Sequence, residues 1–406
     1  MNKLRIVAMA LVCVMVFTGC TLVSPNEEKI AGQVVATVNG EEIYRHQVDE
    51  MVEMYAASYG IDPESTDENM QAAYEELKRS VLDSLITNEL MLQKAPELGI
   101  TLTDEEIQSN KDQADDLFVS RKEEIRNLVE EEAKVDASID VEAESAARYE
   151  DFVQSMDSTP ESYAEYLNEM AIVTDVQTYM YEQADLPEQE IKDWYDNALE
   201  VQQDEMENNP QAFEAYVHQR NIYTYVPEKT IAVKQVLLTF KDEELVAQAT
   251  ELYSAGQEEA AMEVLQPEID KVMPEAVKAK LRLDEGEALD DVIADVGEDP
   301  AMTEDPTNVY GYLVGESTER YLPEFSEAAL ALENVGDTSE PVVTYYGIHI
   351  LQNIKVYEEG VIPYEDAKDQ IIDALRPEKE QAKFTEMDAQ WKEEAEIVYY
   401  YERLMN

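Results

Sequence analysis

The stretch VVTYYGIHIL, Val342 to Leu351, sets a histidine inside an apolar strand pattern, and His349 is one of only three histidines in 406 residues. Histidine is the side chain whose ordinary pKa lies closest to neutral pH, so it suits proton transfer, hydrogen-bond relay or metal ligation. Strand alternation turns His349 to the opposite face from Ile348 and Ile350, so it need not share their packing layer. The other two histidines, His46 and His218, sit on charged helical segments with no second ligand at metal spacing, which argues against a metal centre. Acidic runs such as Glu130-Glu131-Glu132 lack the alternating oxygen ligands and central glycine of a calcium loop. Trp194 and Trp391 fall on helical apolar stripes and read as packing residues. Tyr399, Tyr400 and Tyr401 cannot all face one core, so at least one is surface. Neither a metal nor a cofactor is implied.

Cysteine chemistry is settled by position. The opening MNKLRIVAMALVCVMVFTGC carries Lys3 and Arg5 before an apolar run too short to span a bilayer, the pattern of an export signal over residues 1–19. Val16-Phe17-Thr18-Gly19-Cys20 resembles a bacterial lipobox, with Phe17 where the motif usually has leucine. The resemblance implies cleavage before Cys20 and a lipid such as palmitate on its thiol. Residues 20–33 would then form a tether, and the chain would be a lipoprotein on the extracytoplasmic face of the cell membrane. The second cysteine, Cys13, lies in the removed segment, so the mature chain would have neither a disulfide nor a thiol nucleophile.

The formal net charge of −61 repels nucleic acid and anionic headgroups alike, which excludes a nucleic-acid partner. Disorder is the other state such charge favours, but 44% hydrophobic residues with 24 tyrosines supply apolar area for real cores. The charge is read as a solvated surface and given no specific role.

The elements that must position His349 follow from periodicity. From Val34 a β-branched run meets the Asn39-Gly40 turn signal and then an amphipathic helix. Tyr74, Leu77, Val81 and Leu85 line the stripe of a second helix that ends near Leu98-Gly99-Ile100. Thr103-Asp104-Glu105-Glu106 is a capping-box pattern, and Leu186-Pro187-Glu188 opens another helix, so residues 41–226 read as almost entirely helical. The texture changes at residue 230, where Ile231 to Phe240 reads as a buried strand. Helices, a loop over Glu298 to Val309 and strands over Val342 to Ile354 follow. After Pro363 helix returns, with stripes at Ile371, Ile372, Leu375 and at Phe384, Met387, Trp391, Val398, and a break expected at Arg376-Pro377. The C-terminal stripe needs a partner, and the N-terminal helices are the natural one. The fold class is α+β: a mostly helical domain built from both ends of the chain, with an inserted domain of a small antiparallel sheet surrounded by helices.

These residues resemble a known family. VVATVNGEEI followed by LKRSVLDSLITNELMLQKAPELGITLTDEEI resembles the N-terminal chaperone domain of extracytoplasmic foldases of the PrsA and SurA type. GEALDDVIADVGEDP and YGYLVGESTERYLPEFSEAALALENVGDTSEPVVTYYGIHIL resemble a parvulin peptidyl-prolyl isomerase. The resemblance implies a helical chaperone domain over 34–228, a parvulin-like domain over 229–357 and C-terminal helices over 358–406 packing on the chaperone domain. It places His349 in the isomerase site, with Thr344 beside it and Asp299 where parvulins have Cys or Asp near the substrate amide. Tyr321, Phe325 and Leu330 fall on the proline pocket. Tyr321 stands where the family usually has methionine, and Leu330 replaces a second aromatic. The first histidine of the family, in its opening strand, is replaced by Gln235, within Lys234-Gln235-Val236-Leu237. Residues 243–274 read as an insertion, and the family's Gly-Gly-Asp-Leu-Gly turn has become Asn308-Val309-Tyr310-Gly311-Tyr312.

The resemblance implies a membrane-anchored foldase that binds unfolded exported proteins and isomerises X-Pro bonds. Gln235 favours an alternative, a non-catalytic holdase or assembly scaffold whose degenerate parvulin domain binds peptide. A solute-binding lipoprotein is a third reading, and it meets an objection: such proteins alternate strand and helix throughout, which this chain does not.

Overall fold

The computed structural model describes residues 30–156 and 158–405. The expected signal segment 1–19, Cys20 and the tether as far as residue 29 lie outside the described residues. Among the described residues no helix is long and apolar enough to cross a membrane. The chain forms two compact units, one running to Ala184 and resuming at Glu378, the other spanning Asp185–Pro377.

The first unit opens with strands β1 (Val34–Val38) and β2 (Glu41–Tyr44), followed by helices α1 (Arg45–Tyr59), α2 (Glu68–Leu98), α3 (Asp104–Val135), α4 (Val141–Met156) and α5 (Pro160–Glu182). The second contains α6 (Glu188–Asn208), α7 (Ala212–His218), β3 (Tyr225–Val226), β4 (Thr230–Thr239), α8 (Glu243–Ser254), α9 (Glu258–Asp284) and α10 (Leu289–Val296). It continues through α11 (Thr307–Tyr310), β5 (Tyr312–Gly315), α12 (Pro323–Leu330), β6 (Val342–Val343), β7 (Gly347–Tyr357) and β8 (Gly360–Val361). Helix α13 (Tyr364–Glu394), strand β9 (Ile397–Tyr399) and α14 (Tyr401–Met405) complete the chain.

In the helical unit, Asn39 and Gly40 both take positive φ, 53° and 97°, as a tight hairpin turn between β1 and β2 requires. Strand β1 is central in a three-stranded antiparallel sheet, pairing β2 on one side and β9 on the other. The chain's two ends therefore meet in one sheet. Asp67 caps α2, accepting from the Asn69 N–H at 2.9 Å. Thr103 and Glu106 cap α3 reciprocally, at 3.2 and 2.8 Å. The core joins Val81, Leu82, Ile86 and Leu90 of α2 to Val173, Val176 and Met180 of α5, Val35 and Val38 of β1, and Trp391 of α13. Of the expected C-terminal stripe, Trp391 is buried there, Phe384 and Met387 pack against it half-buried, and Val398 is exposed. Pro377 lies inside α13 and does not end it, in contrast to the break expected at Arg376-Pro377; the boundary between the two units falls at that residue instead.

In the α+β unit, four antiparallel strands run in the order β5-β4-β7-β6, with β4 and β7 the long central pair. Alternation divides their side chains. Val236, Leu238, Ile348 and Ile350 face one way and pack under α8, α9 and α10, with Ala249, Leu265, Ala276 and Val292. Ile231, Val233 and Leu351 face the other way and pack with Phe325 and Ala329 of α12. The segment expected as an insertion over 243–274 forms α8 and the first part of α9, and it covers the face opposite His349. The unit begins at Asp185, not at 229, because Met206, Phe213 and Val217 of α6 and α7 share a core with Ala232, Leu313 and Tyr357. It ends at Pro377, not at 357, because Ile191 and Tyr195 pack against Ala367 and Ile371.

Candidate functional site

His349 pairs with Leu237 across the ladder, and Gln235 with Leu351. Directly opposed residues share a face, so Gln235 and His349 are diagonal neighbours on the same face, within reach of long side chains. Gly347 starts β7 at φ 156°, and a Cβ there would strike the carbonyl of Leu238. Glycine is thus what lets β7 close on β4 just before His349.

Polar groups on this face form one directed chain, buried at Gln235, His349 and Thr344 and half-buried at Asp299 and Tyr312. Asp299 Oδ2 accepts from Gln235 Nε2 at 2.5 Å and from the Tyr312 hydroxyl at 2.7 Å. Its Oδ1 accepts from the Ala301 N–H at 3.0 Å, capping a 3-10 turn over Pro300–Thr303. The carboxylate can only accept, so the amide of Gln235 must present Nε2 to it and Oε1 to the far side. That oxygen lies 2.5 Å from His349 Nδ1, which therefore carries the ring proton. His349 Nε2 is left as an acceptor and takes the Thr344 hydroxyl at 2.8 Å. Thr344 Oγ1 in turn accepts the Tyr346 N–H at 3.1 Å. Gln235, Thr344 and His349 are 5%, 1% and 5% exposed, so the two links at His349 are shielded from water and strengthened by it, whereas the links to Asp299 are part-buried.

Burial pulls the His349 imidazole down from 6.5 to a pKa of about 4, and the Asp299 carboxylate pulls weakly the other way. The ring is neutral at physiological pH. It acts here as an oriented dipole and hydrogen-bond partner, with no cationic proton to give.

An aromatic wall stands beside this chain. Phe325 meets the His349 ring edge to face at 5.6 Å, and Tyr321 and Tyr312 lie 5.3 and 5.9 Å from Phe325. Leu330 packs against the same core. Burial raises the Tyr321 phenol first, and the carboxylate of Glu214 adds to it; burial and then Asp299 do the same for Tyr312. Both hydroxyls stay protonated and donate. The Tyr321 hydroxyl donates a hydrogen bond to Glu214 Oε1 at 3.1 Å, while Arg320 pairs with Glu214 Oε2.

All seven residues expected in the isomerase domain thus come together: His349, Asp299, Gln235 and Thr344 as one hydrogen-bonded chain, and Tyr321, Phe325 and Leu330 on the apolar side. Cys20 lies outside the described residues. Sequence reasoning missed Tyr312, Glu214 and Arg320. The alternation of β5 could have flagged Tyr312. Nothing local marks Glu214, which arrives from α7, more than a hundred residues from Tyr321.

Comparison with known proteins adds four findings. Residues 2–177 match the family model of the SurA-like N-terminal domain. A foldase protein PrsA of Clostridium botulinum (strain Langeland) is 26% identical over 401 residues, covering 97% of this chain and 95% of the relative. One from Clostridium perfringens (strain ATCC 13124) is 24% identical over 411 residues, covering 98% and 96%. Among solved structures, the peptidylprolyl isomerase PrsA of Bacillus cereus covers 92% of this chain and 96% of its own at 15% identity, with a TM-score of 0.20.

Proposed function

We propose a function from one premise: the chain belongs to the PrsA/SurA type of foldase. It is an extracytoplasmic chaperone that holds unfolded exported polypeptide, is tethered through lipid on Cys20, and accelerates X-Pro isomerisation at the His349 face of its α+β unit. The single observation that carries the catalytic part is the continuous chain Tyr312–Asp299–Gln235–His349–Thr344 beside the wall of Phe325 and Tyr321.

The chemistry needs no bond to the protein. Rotation about the peptide bond breaks amide resonance, at a barrier of roughly 18–20 kcal/mol, somewhat lower for the tertiary amide before proline. A catalyst lowers it by gripping the proline ring in a dry pocket and by holding fixed dipoles that favour the twisted amide over the planar, solvated one. Phe325, Leu330 and the ring of Tyr321 supply the grip. Gln235 takes over the orienting role of a first histidine: its amide ties His349 Nδ1–H to a carboxylate that is itself held by Tyr312. Orientation of His349 therefore survives the loss of a second imidazole.

A second reading keeps the peptide grip without turnover. It is favoured by Gln235 itself and by the engagement of His349 Nε2 with Thr344, which a substrate would have to compete for. The test is isomerisation of an X-Pro peptide by the full chain beside His349→Ala and Gln235→His. Acceleration lost in His349→Ala supports catalysis. No acceleration in the parent but gain in Gln235→His supports the peptide-binding reading, and silence in all three overturns the site.

A further inference from the structure

The helical unit holds an apolar hollow of about 340 Å³ at the end of α2, lined by Leu92, Pro96, Ile100, Leu102, Ile107 and Ile172. Its making is local. Helix α2 stops at Gly99, whose φ of 72° lets the Ile100 N–H return to the Ala95 carbonyl at 2.9 Å. The chain then turns past Leu102 into α3. Pro96, inside the last turns, has no N–H to give the Leu92 carbonyl four residues back, so that carbonyl, on a lining residue, lacks its helical donor. Ile107, 43% exposed, forms the outer lip.

Acidic side chains predominate around the hollow. The last turn of α2 carries no basic residue, so the negative end of the helix is uncompensated there. The lysines within a turn of the hollow's lining are already paired: Lys94 with Glu97 and Glu394 at 3.1 and 3.4 Å, and Lys111, one turn beyond Ile107, with Asp115 at 2.5 Å. One helical turn before the lining residues Leu92 and Ile172 stand Glu89 and Glu169, with Glu165 a further turn back. Burial, then the charges of Glu89 and Glu165, hold the Glu169 carboxyl above its usual range, so these three acids act on one another, and Glu89 also accepts from the Gln93 amide at 2.7 Å.

We propose that this hollow docks an extended polypeptide segment in which an apolar side chain lies next to lysine or arginine. The apolar side chain fills the hollow, the cation meets Glu89, Glu165 and Glu169, and a backbone N–H of the segment reaches the Leu92 carbonyl. This rests on the foldase reading and names the class of client segment it would select.

Fluorescence anisotropy of the full chain with labelled unstructured decapeptides tests it, using a Leu-Arg peptide beside Leu-Glu and Ser-Arg controls. The Leu-Arg peptide is expected to bind about tenfold tighter than either control, the gain of one buried aliphatic side chain in one comparison and of charge in the other. Ile107→Ser, on an exposed helix position, should remove the advantage over Ser-Arg while leaving the helical circular dichroism unchanged. Glu165→Gln with Glu169→Gln should remove the advantage over Leu-Glu alone. Equal binding of all three peptides, or indifference to Ile107→Ser, overturns the proposal. Suppression of aggregation of an unfolded protein by the same preparation separates the two failures. If suppression persists without peptide discrimination, only the hollow is wrong; if it is absent, the foldase reading falls with it.

Discussion

The neutral state of His349 has a consequence for stability that can be worked through. Its pKa lies at about 4 in the folded unit against 6.5 when exposed, so between those values the unfolded chain binds the extra proton and folding loses stability as pH falls. The contribution is complete above pH 6.5 and is lost progressively down to pH 4. At pH 4.5 the two pKa values give a penalty of about 2.5 kcal/mol relative to pH 7.5. Other carboxylates titrate in the same range, so the measurement is a difference of differences: urea unfolding of parent and His349→Gln at the two pH values. The chain has two tryptophans, Trp194 in the α+β unit and Trp391 in the helical one, so a Trp391→Phe background lets fluorescence report the relevant unit alone. The parent should lose about 2.5 kcal/mol more than the variant on acidification. With three histidines in all, the ring C–H resonance missing from His349→Gln can be followed directly by NMR. It should stay fixed from pH 8 to about 5.5. A midpoint near 6.5, with no stability gap between parent and variant, would refute a dry, neutral His349.

Gln235→Leu keeps bulk but strands the Nδ1–H of His349 and leaves Asp299 Oδ2 with Tyr312 alone, and should cost the α+β unit about 1–3 kcal/mol by urea unfolding; a loss below about 1 kcal/mol would mean water replaces the amide. Tyr312→Phe removes one bond to Asp299, for about 1 kcal/mol. If that bond orients the chain it should lower kcat for an X-Pro peptide with little change in KM; a change in KM alone would assign Tyr312 to substrate binding. Gly347→Ala sets a methyl against the Leu238 carbonyl at a positive φ, and should destabilise the unit by about 2 kcal/mol or more. An unaltered urea midpoint would show that the start of β7 is free to shift.

Much of this architecture was legible in the residues. The Asn39-Gly40 turn, the Thr103/Glu106 capping box and the strand of Ile231 to Phe240 depend on local geometry that neighbours cannot easily override, and each appears where the pattern puts it. Arg376-Pro377 was misleading because proline costs a helix one hydrogen bond, a loss the packing of a long helix can absorb. The segment expected as an insertion over 243–274 forms helices, and the face it covers was not legible. That depended on Val236, Leu238, Ile348 and Ile350 presenting an apolar layer for it.

The sequence by itself determined the alternation that divides β4 and β7 into two faces, the scarcity of histidine and cysteine that left so few candidates for chemistry, and the acidic surface. These follow from residue identity and a period of two. Only the tertiary structure decided that Gln235, Asp299, Thr344 and His349 join into one hydrogen-bonded chain, that Tyr312 anchors it and that Glu214 holds Tyr321. Those contacts close between segments five to more than a hundred residues apart. Their energy comes from exclusion of water by a core that exists only once the sheet and α12 have met, and no window of sequence contains it.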